Sequence, residues 1–252
     1  MGLNNAGVPV SIVIAGLMVS LGLYFGLQGI SGTGNVFSGQ TGTVGTTGSV
    51  TSTPIPQPTQ PSTTTISVDD DPVIGNPDAP VTVIVFTDYE CPFCQKSFNK
   101  MESELMTNYV DTGQVKMVVR DFPLSFHEPK ATEEAVAANC SREQGGDAVY
   151  FKYHDKLFEY TLSNGAGTSK PLSDIAVEIG LDKAKFDNCI ANNDYATEVQ
   201  KDISDGNAAF VGGTPTYYVG KSTADGMIDA QIIVGAVPYE SIKPVIESYL
   251  AN

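Results

Sequence analysis

The sequence is poor in the residues that build metal centres, disulfide scaffolds and nucleic-acid interfaces. Its 252 residues include two histidines and four cysteines, and tryptophan is absent. Two histidines exclude a histidine-rich metal centre, and four cysteines are too few for a protein held together mainly by disulfides. Basic residues are also scarce, since 14 Lys and Arg stand against 29 Asp and Glu and give a net charge of −15. Such a surface repels phosphate groups, so we expect no nucleic-acid partner.

Charged side chains are missing from residues 1–68 and begin at Asp69. Residues 8–30 form an uncharged, mostly apolar stretch that, as a helix, can span the ~30 Å hydrocarbon core of a membrane. A cleaved signal peptide is the alternative, although its apolar region is usually only ~7–15 residues long. We predict a single-pass anchor within 1–30 and an extracytoplasmic remainder, with cleavage and secretion as the second choice.

Residues 31–68 are rich in Gly, Ser, Thr and Pro. Such a segment buries too little apolar surface to offset its conformational entropy, so we predict a disordered linker. Residues 69–252 have the composition of one globular domain of ordinary size. The predicted organisation is therefore an anchor or signal segment, a linker and one domain.

The first part of this domain has the pattern of a strand–helix–strand unit. Residues 81–86 read VTVIVF, a β-branched run typical of a buried central strand. Apolar residues then recur at helical spacing: Cys94, Phe98, Met101, Leu105 and Tyr109. Residues 115–119 form the second strand, which the crossover rule makes parallel to the first.

In the rest of the domain the predicted secondary structure changes to helices and then back to strands. Residues 130–207 contain helical stripes and no strand-like run. Strands return at 216–219 and 231–234, and a last helix is predicted over 238–250. The fold class is therefore α/β, with the order β-α-β, a helical block, and β-β-α.

The most informative motif is Cys91-Pro92-Phe93-Cys94, which lies where the first strand passes into the first helix. Cys91 falls at the helix N-cap, where unpaired N–H groups and the helix dipole lower the pKa of a thiol. Pro92 suits the first helical position. Cys94 lies one turn further, on the core-facing stripe. We predict that Cys91 is exposed and attacks disulfides, and that Cys94 is sheltered and resolves mixed disulfides.

Other interpretations of this motif are weaker. Zinc normally takes four ligands, and the remaining cysteines and the two histidines lack the spacing of a zinc site, so we predict no metal. Gln95 stands where haem attachment requires histidine. A purely structural disulfide remains an alternative. We expect His127 and His154 to serve packing or capping, and Glu90 either to tune the pKa of Cys91 or to be solvated.

Several segments resemble the DsbA-like thiol–disulfide oxidoreductases of the thioredoxin superfamily. Residues 75–94, GNPDAPVTVIVFTDYECPFC, resemble the opening of these proteins. The resemblance continues at 123–131 (PLSFHEPKA), 153–158 (YHDKLF) and 212–219 (GGTPTYYV). It implies a thioredoxin fold with an inserted all-helical domain over about 130–207.

The resemblance also implies roles for individual residues. Cys91 and Cys94 are the catalytic pair, with Pro92 and Phe93 completing the active-site loop. Thr214 and Pro215 match the substrate-binding loop, in which Pro215 is a cis-proline. A cis bond there would leave the backbone at residue 214 free to pair with an extended substrate.

In the same family, cysteines at positions similar to Cys140 and Cys189 can form a second, structural disulfide. We expect this bond here, with two free buried thiols as the alternative. An extracytoplasmic location favours the bond.

The function implied by the resemblance is the introduction of disulfide bonds into reduced exported proteins. The chain would need no cofactor, would act as a monomer, and would be reoxidised by a membrane quinone-linked thiol oxidase. Phe93 stands where the strongest oxidants of the family have histidine, which suggests a weaker oxidant.

Two alternatives remain. A reductase or isomerase would use the same chemistry, although family isomerases carry a folded dimerisation domain where this chain has the low-complexity segment 31–68. A non-catalytic binding or chaperone module would keep the C-x-x-C only as a structural disulfide.

Overall fold

The structure is a computed structural model that describes residues 61–251. The predicted anchor within 1–30 and most of the predicted linker lie outside the described residues. Across 61–251, no helix has both the length and the apolar composition that crossing a bilayer requires.

Within residues 61–251, six strands form one mixed sheet. They are β1 (Thr63–Ser67), β2 (Val73–Gly75), β3 (Val81–Thr87), β4 (Val115–Asp121), β5 (Thr216–Lys221) and β6 (Met227–Val234). Their order across the sheet is β1-β6-β5-β3-β4-β2. β3 and β4 are parallel, as predicted, and every other neighbouring pair is antiparallel.

Helical elements follow β3, fill the interval between β4 and β5, and follow β6. They are α1 (Pro92–Ser97), a π-helical turn (Phe98–Glu102), α2 (Ser103–Leu105), a second π-helical turn (Met106–Val110), a 3₁₀ turn (Ser125–His127), α3 (Lys130–Glu143), α4 (Asp147–Tyr160), α5 (Leu172–Glu178), α6 (Lys183–Asn192), α7 (Ala196–Ala208) and α8 (Tyr239–Leu250). We call the continuous stretch 92–110 the first helical run.

The central strand β3 is buried along its whole length. Alternate residues of a strand point to opposite faces of the sheet, and here both faces are covered. Val83 and Val85 join the core formed with the helices, whereas Ile84 and Phe86 join a second core on the other face. Burial on both sides explains the uninterrupted apolar sequence of this strand.

Five helices, α3 to α7, separate β4 from β5. This arrangement confirms the predicted fold class, a thioredoxin fold with an inserted helical domain. The first helical run connects β3 to β4, and the C-terminal α8 packs against β3 and β5. The junction between β3 and α1 therefore lies beside both the sheet and the insertion.

The prediction of a linker up to residue 68 is wrong at its C-terminal end. Residues 63–67 form β1 and pair antiparallel with β6 at the sheet edge. Ile66 is buried in the second core, and the Thr65 hydroxyl donates to Asp229 Oδ1 at 2.6 Å. Threonine is frequent in linkers, but its β-branched side chain also favours strands, so composition placed the boundary too late. The short edge strand β2 was also missed.

Candidate active site

The first helix begins immediately after Cys91. This residue is the N-cap, with extended backbone angles (φ −83°, ψ 117°), and its carbonyl accepts from the Gln95 N–H at 3.1 Å. Pro92 occupies the start of the helix, where its missing N–H costs nothing. The Cys91 side chain therefore stands at the N-terminus of the helix, where the first N–H groups have no partner within the helix.

Both cysteines of the motif are free thiols, and both are buried. Cys91 is 3% exposed and Cys94 is 1% exposed. The prediction of an exposed Cys91 is therefore wrong for this state. Two distant segments pack beside it: the Cys91 Sγ donates to the Thr214 carbonyl at 3.4 Å, and the Asn164 N–H donates to the Glu90 carbonyl at 2.7 Å.

The surroundings of Cys91 favour its ionised form. They lower the pKa of its thiol from 9.0 to about 6. The largest cause is a hydrogen bond with Cys94, and the Thr214 side chain and the N–H groups of Cys94 and Phe93 add further hydrogen bonds to the thiolate, while burial opposes them. More than half of Cys91 is therefore ionised at neutral pH.

Cys94 has the opposite character. Burial is the largest cause that raises the pKa of its thiol well above the ordinary value, and its hydrogen bond and charge interaction with Cys91 add to the effect. Hydrogen bonds with the Thr214 and Thr87 side chains oppose the increase. The two sulfur atoms thus form one acidic and one protonated partner, as an exchange reaction requires.

The loop before β5 carries the two residues that the resemblance assigned to substrate binding. The peptide bond between Thr214 and Pro215 is cis. The Pro215 carbonyl accepts from the Gly235 N–H at 2.8 Å, which ties the loop to the segment after β6. This anchoring holds Thr214 against Cys91.

Three exposed aromatic or aliphatic side chains belong to the motif or to segments hydrogen-bonded to the loop before it, and we call them the apolar rim: Phe93, Phe126 and Leu162, which are 60%, 75% and 58% exposed. Leu162 lies two residues before Asn164, which bonds to Glu90. Phe126 precedes His127, whose Nδ1 lies 2.7 Å from Asp88 Oδ2. The rim has no signature in the sequence because its members come from three separate segments.

Glu90, next to Cys91, is completely buried, so of the two alternatives the solvated side chain is wrong. Its Oε1 accepts from the Thr161 hydroxyl at 3.3 Å. Glu134 of α3 is close enough that burial, together with the charge of Glu90, raises the pKa of Glu134 to about 10. Glu134 is therefore protonated at neutral pH.

The two histidines are buried, as a packing role requires. His154 Nδ1 lies 2.9 Å from the Tyr89 hydroxyl, and burial lowers the pKa of its ring to about 3, which keeps it neutral. Its ring packs against Phe98 and Phe158. His127 is held by Asp88 in the loop that precedes Cys91.

A disulfide joins Cys140 of α3 to Cys189 of α6. Both residues are buried inside the helical insertion. The structure thus contains the pairing that the resemblance implied and not the two free thiols.

Comparison with known proteins places this geometry in a family. The sequence profile of the thioredoxin family matches residues 67–237. Disulfide bond formation protein D of Bacillus subtilis (strain 168) is 29% identical over 189 residues, which cover 73% of this chain and 79% of that protein. Na(+)/H(+) antiporter NhaA 1 of Salinispora arenicola (strain CNS-205) is 28% identical over 172 residues, which cover 68% of this chain and 25% of the antiporter. The chain thus spans about a quarter of the length of the antiporter relatives that it matches.

Solved structures of similar proteins also match the fold of this chain. The crystal structure of oxidised BdbD from Bacillus subtilis matches with a TM-score of 0.65 and 26% identity, over 75% of this chain and 98% of that one. Wolbachia pipientis alpha-DsbA1 has the same fold, with a TM-score of 0.63 and 20% identity, over 74% of this chain and 94% of that one. These matches confirm the predicted resemblance to DsbA-like proteins. The chain belongs to the thioredoxin family.

Proposed function

We propose that this chain is an extracytoplasmic thiol–disulfide oxidase that introduces disulfide bonds into exported proteins through Cys91 and Cys94. The observation that carries the proposal is the contrast between the two thiols at the start of α1. One is acidic and bonded to the Thr214 loop, and the other is buried and protonated.

The reaction is a pair of disulfide exchanges. A substrate thiolate attacks Cys91 of the oxidised pair, which forms a mixed disulfide and releases Cys94 as a thiolate that takes up a proton. A second substrate thiolate then attacks the substrate sulfur of the mixed disulfide and releases the Cys91 thiolate. The substrate loses two electrons and two protons, and the protein gains the two electrons and at least the proton on Cys94.

The acidity of Cys91 supports the oxidising direction. A stabilised thiolate stabilises the reduced pair relative to its disulfide, so the disulfide accepts electrons more readily. A low pKa also makes Cys91 a good leaving group in the second exchange.

The surface near the motif supports an unfolded polypeptide as the substrate. The apolar rim offers contacts to exposed apolar side chains, which folded proteins bury. The backbone at Thr214, beside Cys91, is suited to pair with an extended segment.

The second disulfide supports an oxidising compartment, because such bonds persist mainly outside the cytoplasm. The name of the Bacillus subtilis relative, Disulfide bond formation protein D, supports the same activity here. The uncharged segment 8–30 would anchor the chain, or be cleaved as a signal. A membrane quinone-linked thiol oxidase would reoxidise Cys91 and Cys94, and the chain would act as a monomer.

The reduction potential of the Cys91–Cys94 pair tests the direction. Equilibration with glutathione buffers, followed by trapping of free thiols, measures it, and the Cys91→Ser variant supplies the baseline. A potential between about −120 and −200 mV supports an oxidase, whereas a value near thioredoxin's, about −270 mV, supports a reductase. A pair that resists both glutathione and alkylation after mild reduction would instead support a structural disulfide in a binding module.

A further inference from the structure

Several helical segments of this chain end in the same way. The first helical run, α5, α6 and α7 each end in a Schellman motif, in which two N–H groups beyond the helix donate to carbonyls of its last turn. In α7 the Val211 N–H donates to the Gly206 carbonyl at 2.8 Å, and the Phe210 N–H donates to the Asn207 carbonyl at 3.2 Å. The motif requires a left-handed backbone at the residue after the helix cap.

The left-handed position is occupied differently in α7. It is Gly113 after the first helical run (φ +76°), Gly180 after α5 (φ +91°) and Asn193 after α6 (φ +57°), but Phe210 after α7 (φ +71°). Glycine adopts this conformation freely and asparagine does so at small cost. The Cβ atom of phenylalanine is instead forced close to the following carbonyl oxygen. α7 therefore ends on a residue that its own backbone disfavours.

Phe210 begins the loop between α7 and β5, which contacts Cys91. The parallel strands β3 and β4 end at one edge of the sheet, and the antiparallel β5 begins there, so this loop and the motif share an edge. The next residue, Val211, is buried in the second core, against which Leu124 packs. The Leu124 N–H donates to Asp88 Oδ2 at 3.0 Å, in the loop before the motif. The strained residue thus belongs to the surroundings of the active site.

The Phe210 side chain is partly open to solvent. The residue is 48% exposed, whereas its two neighbours in sequence are buried. Gly213, between Phe210 and Thr214, has open space on the side where a side chain would stand, so an extended polypeptide can approach the loop closely. Four extended residues span at most about 14 Å. A substrate that pairs with Thr214 can therefore bring a side chain about two to four residues from its cysteine to Phe210.

The cost of this conformation indicates a role for the Phe210 side chain. Glycine would complete the same motif without the cost, as it does after α5. Disfavoured backbone conformations of this kind are concentrated at active sites and ligand clamps. We propose that Phe210 is a specificity-determining residue that binds an apolar side chain of the substrate polypeptide, about two to four residues from the reacting cysteine. The inference deepens the proposed function and rests on it for the polypeptide nature of the substrate.

The test measures the first exchange step with two peptides. Each peptide carries one cysteine as a mixed disulfide with 5-thio-2-nitrobenzoate. Leucines flank this cysteine on both sides in one peptide, and serines replace them in the other. The Cys91 thiolate of the reduced chain attacks the peptide sulfur, a disulfide forms between them, and 5-thio-2-nitrobenzoate leaves as a coloured thiolate. This step is the same whether the chain acts as an oxidase or as a reductase in the cell.

Selectivity is the ratio of the second-order rate constants for the leucine and serine peptides, divided by the same ratio for glutathione. We expect the wild-type chain to favour the leucine peptide by at least about fivefold, because the contact removes apolar surface from water. Phe210→Ala should lose most of this preference, and Phe210→Leu should keep most of it. Val177→Ala is the matched control and should keep it fully, since Val177 is 49% exposed on α5, which packs against other helices of the insertion.

A second measurement tests the cost in the backbone. Phe210→Gly and Phe210→Ala both remove the ring, but only alanine keeps a Cβ atom in the left-handed conformation. Phe210→Gly should therefore melt about 2–4 °C higher than Phe210→Ala. Gly180→Ala introduces a Cβ atom at the same position of the α5 motif and should melt below the wild-type chain by a similar amount.

Equal selectivity of the wild-type chain and Phe210→Ala would overturn the inference, and so would a wild-type chain without preference for the leucine peptide. Equal melting temperatures of Phe210→Gly and Phe210→Ala would remove the cost on which the inference rests. If Phe210→Ala does not fold, Phe210→Gly decides the selectivity, since it also lacks the ring. Oxidation of a dithiol peptide by the oxidised wild-type chain is measured separately. Failure of that reaction would reject the proposed oxidase, while the selectivity result would still stand.

Discussion

The two cysteine pairs of this chain have the same atoms in contrasting surroundings. Cys91 and Cys94 are free thiols at the start of a helix, beside a loop from a distant strand. Cys140 and Cys189 are bonded to each other between two helices of the insertion. All four residues are buried, so exposure does not separate the reactive pair from the structural one. The hydrogen bonds at Cys91 do, since they outweigh burial and lower the pKa of its thiol to about 6.

Removal of Cys91 should have the largest effect, because it removes the acidic thiol that distinguishes the first cysteine pair from the second. In Cys91→Ser no acidic thiol remains at the helix start, so oxidation of a fluorescent dithiol peptide should fall to the rate without protein. The Cys140→Ala/Cys189→Ala variant is the control and should keep its activity per folded molecule. Retained oxidation in Cys91→Ser would transfer the reactive role to another thiol.

Removal of the structural pair should affect stability instead of chemistry. The bond closes a loop between residues 49 positions apart, and loop entropy alone gives it up to about 4 kcal/mol. Urea unfolding of Cys140→Ala/Cys189→Ala should show a loss of unfolding free energy of that order. A loss well below 1 kcal/mol would mean that packing of α3 against α6 is sufficient without the bond.

The pH dependence of stability should distinguish the reduced from the oxidised chain. The pKa of Cys91 is about 6 in the folded state and near 9.0 when unperturbed, so its ionisation stabilises the folded, reduced form. This stabilisation is fully present above about pH 9 and is lost as pH falls through 6. Between these limits it changes by up to about 1.4 kcal/mol per pH unit.

The measurement is the difference in unfolding free energy between the two redox forms. Groups other than the two active-site thiols largely cancel in this difference, so the oxidised chain is its own matched control. A difference that stays constant from about pH 6 to 9 would contradict the acidity of Cys91.

Loss of one hydroxyl at the reactive pair should have the smallest effect. Thr214→Val removes the hydroxyl that favours the Cys91 thiolate and keeps the shape of the side chain, so the pKa of Cys91 should rise. A hydrogen bond to a charged group contributes about 1.5 kcal/mol, which corresponds to roughly a tenfold change in ionisation. The pH profile of iodoacetamide alkylation of the reduced chain measures this.

Thr216→Val is the matched control for this loop. The Thr216 hydroxyl donates to the Gly213 carbonyl at 2.7 Å, so its loss disturbs the same loop without removing a bond to sulfur. Equal shifts in both variants would assign the effect to loop geometry.

The pattern of neighbouring residues was sufficient to predict β3 and the strand–helix junction, because local sequence determines these elements. The apolar run at 81–86 became β3, and the C-x-x-C motif stands at the strand–helix junction. The features that were missed depend on residues far apart in the chain. β1 pairs with β6 across 164 positions, and the Thr161 hydroxyl meets the buried Glu90 across 71. A single sequence carries no local sign of such contacts.

The bond inside the insertion has a consequence for how each new copy of the protein matures. Because Cys140 and Cys189 are covered once α3 and α6 pack, an outside oxidant must reach them while the chain is still partly open. A newly made molecule therefore needs an electron acceptor for this bond before its insertion closes. Under the proposed activity, an older copy could be that acceptor, and the population would then renew its own capacity from one generation of molecules to the next.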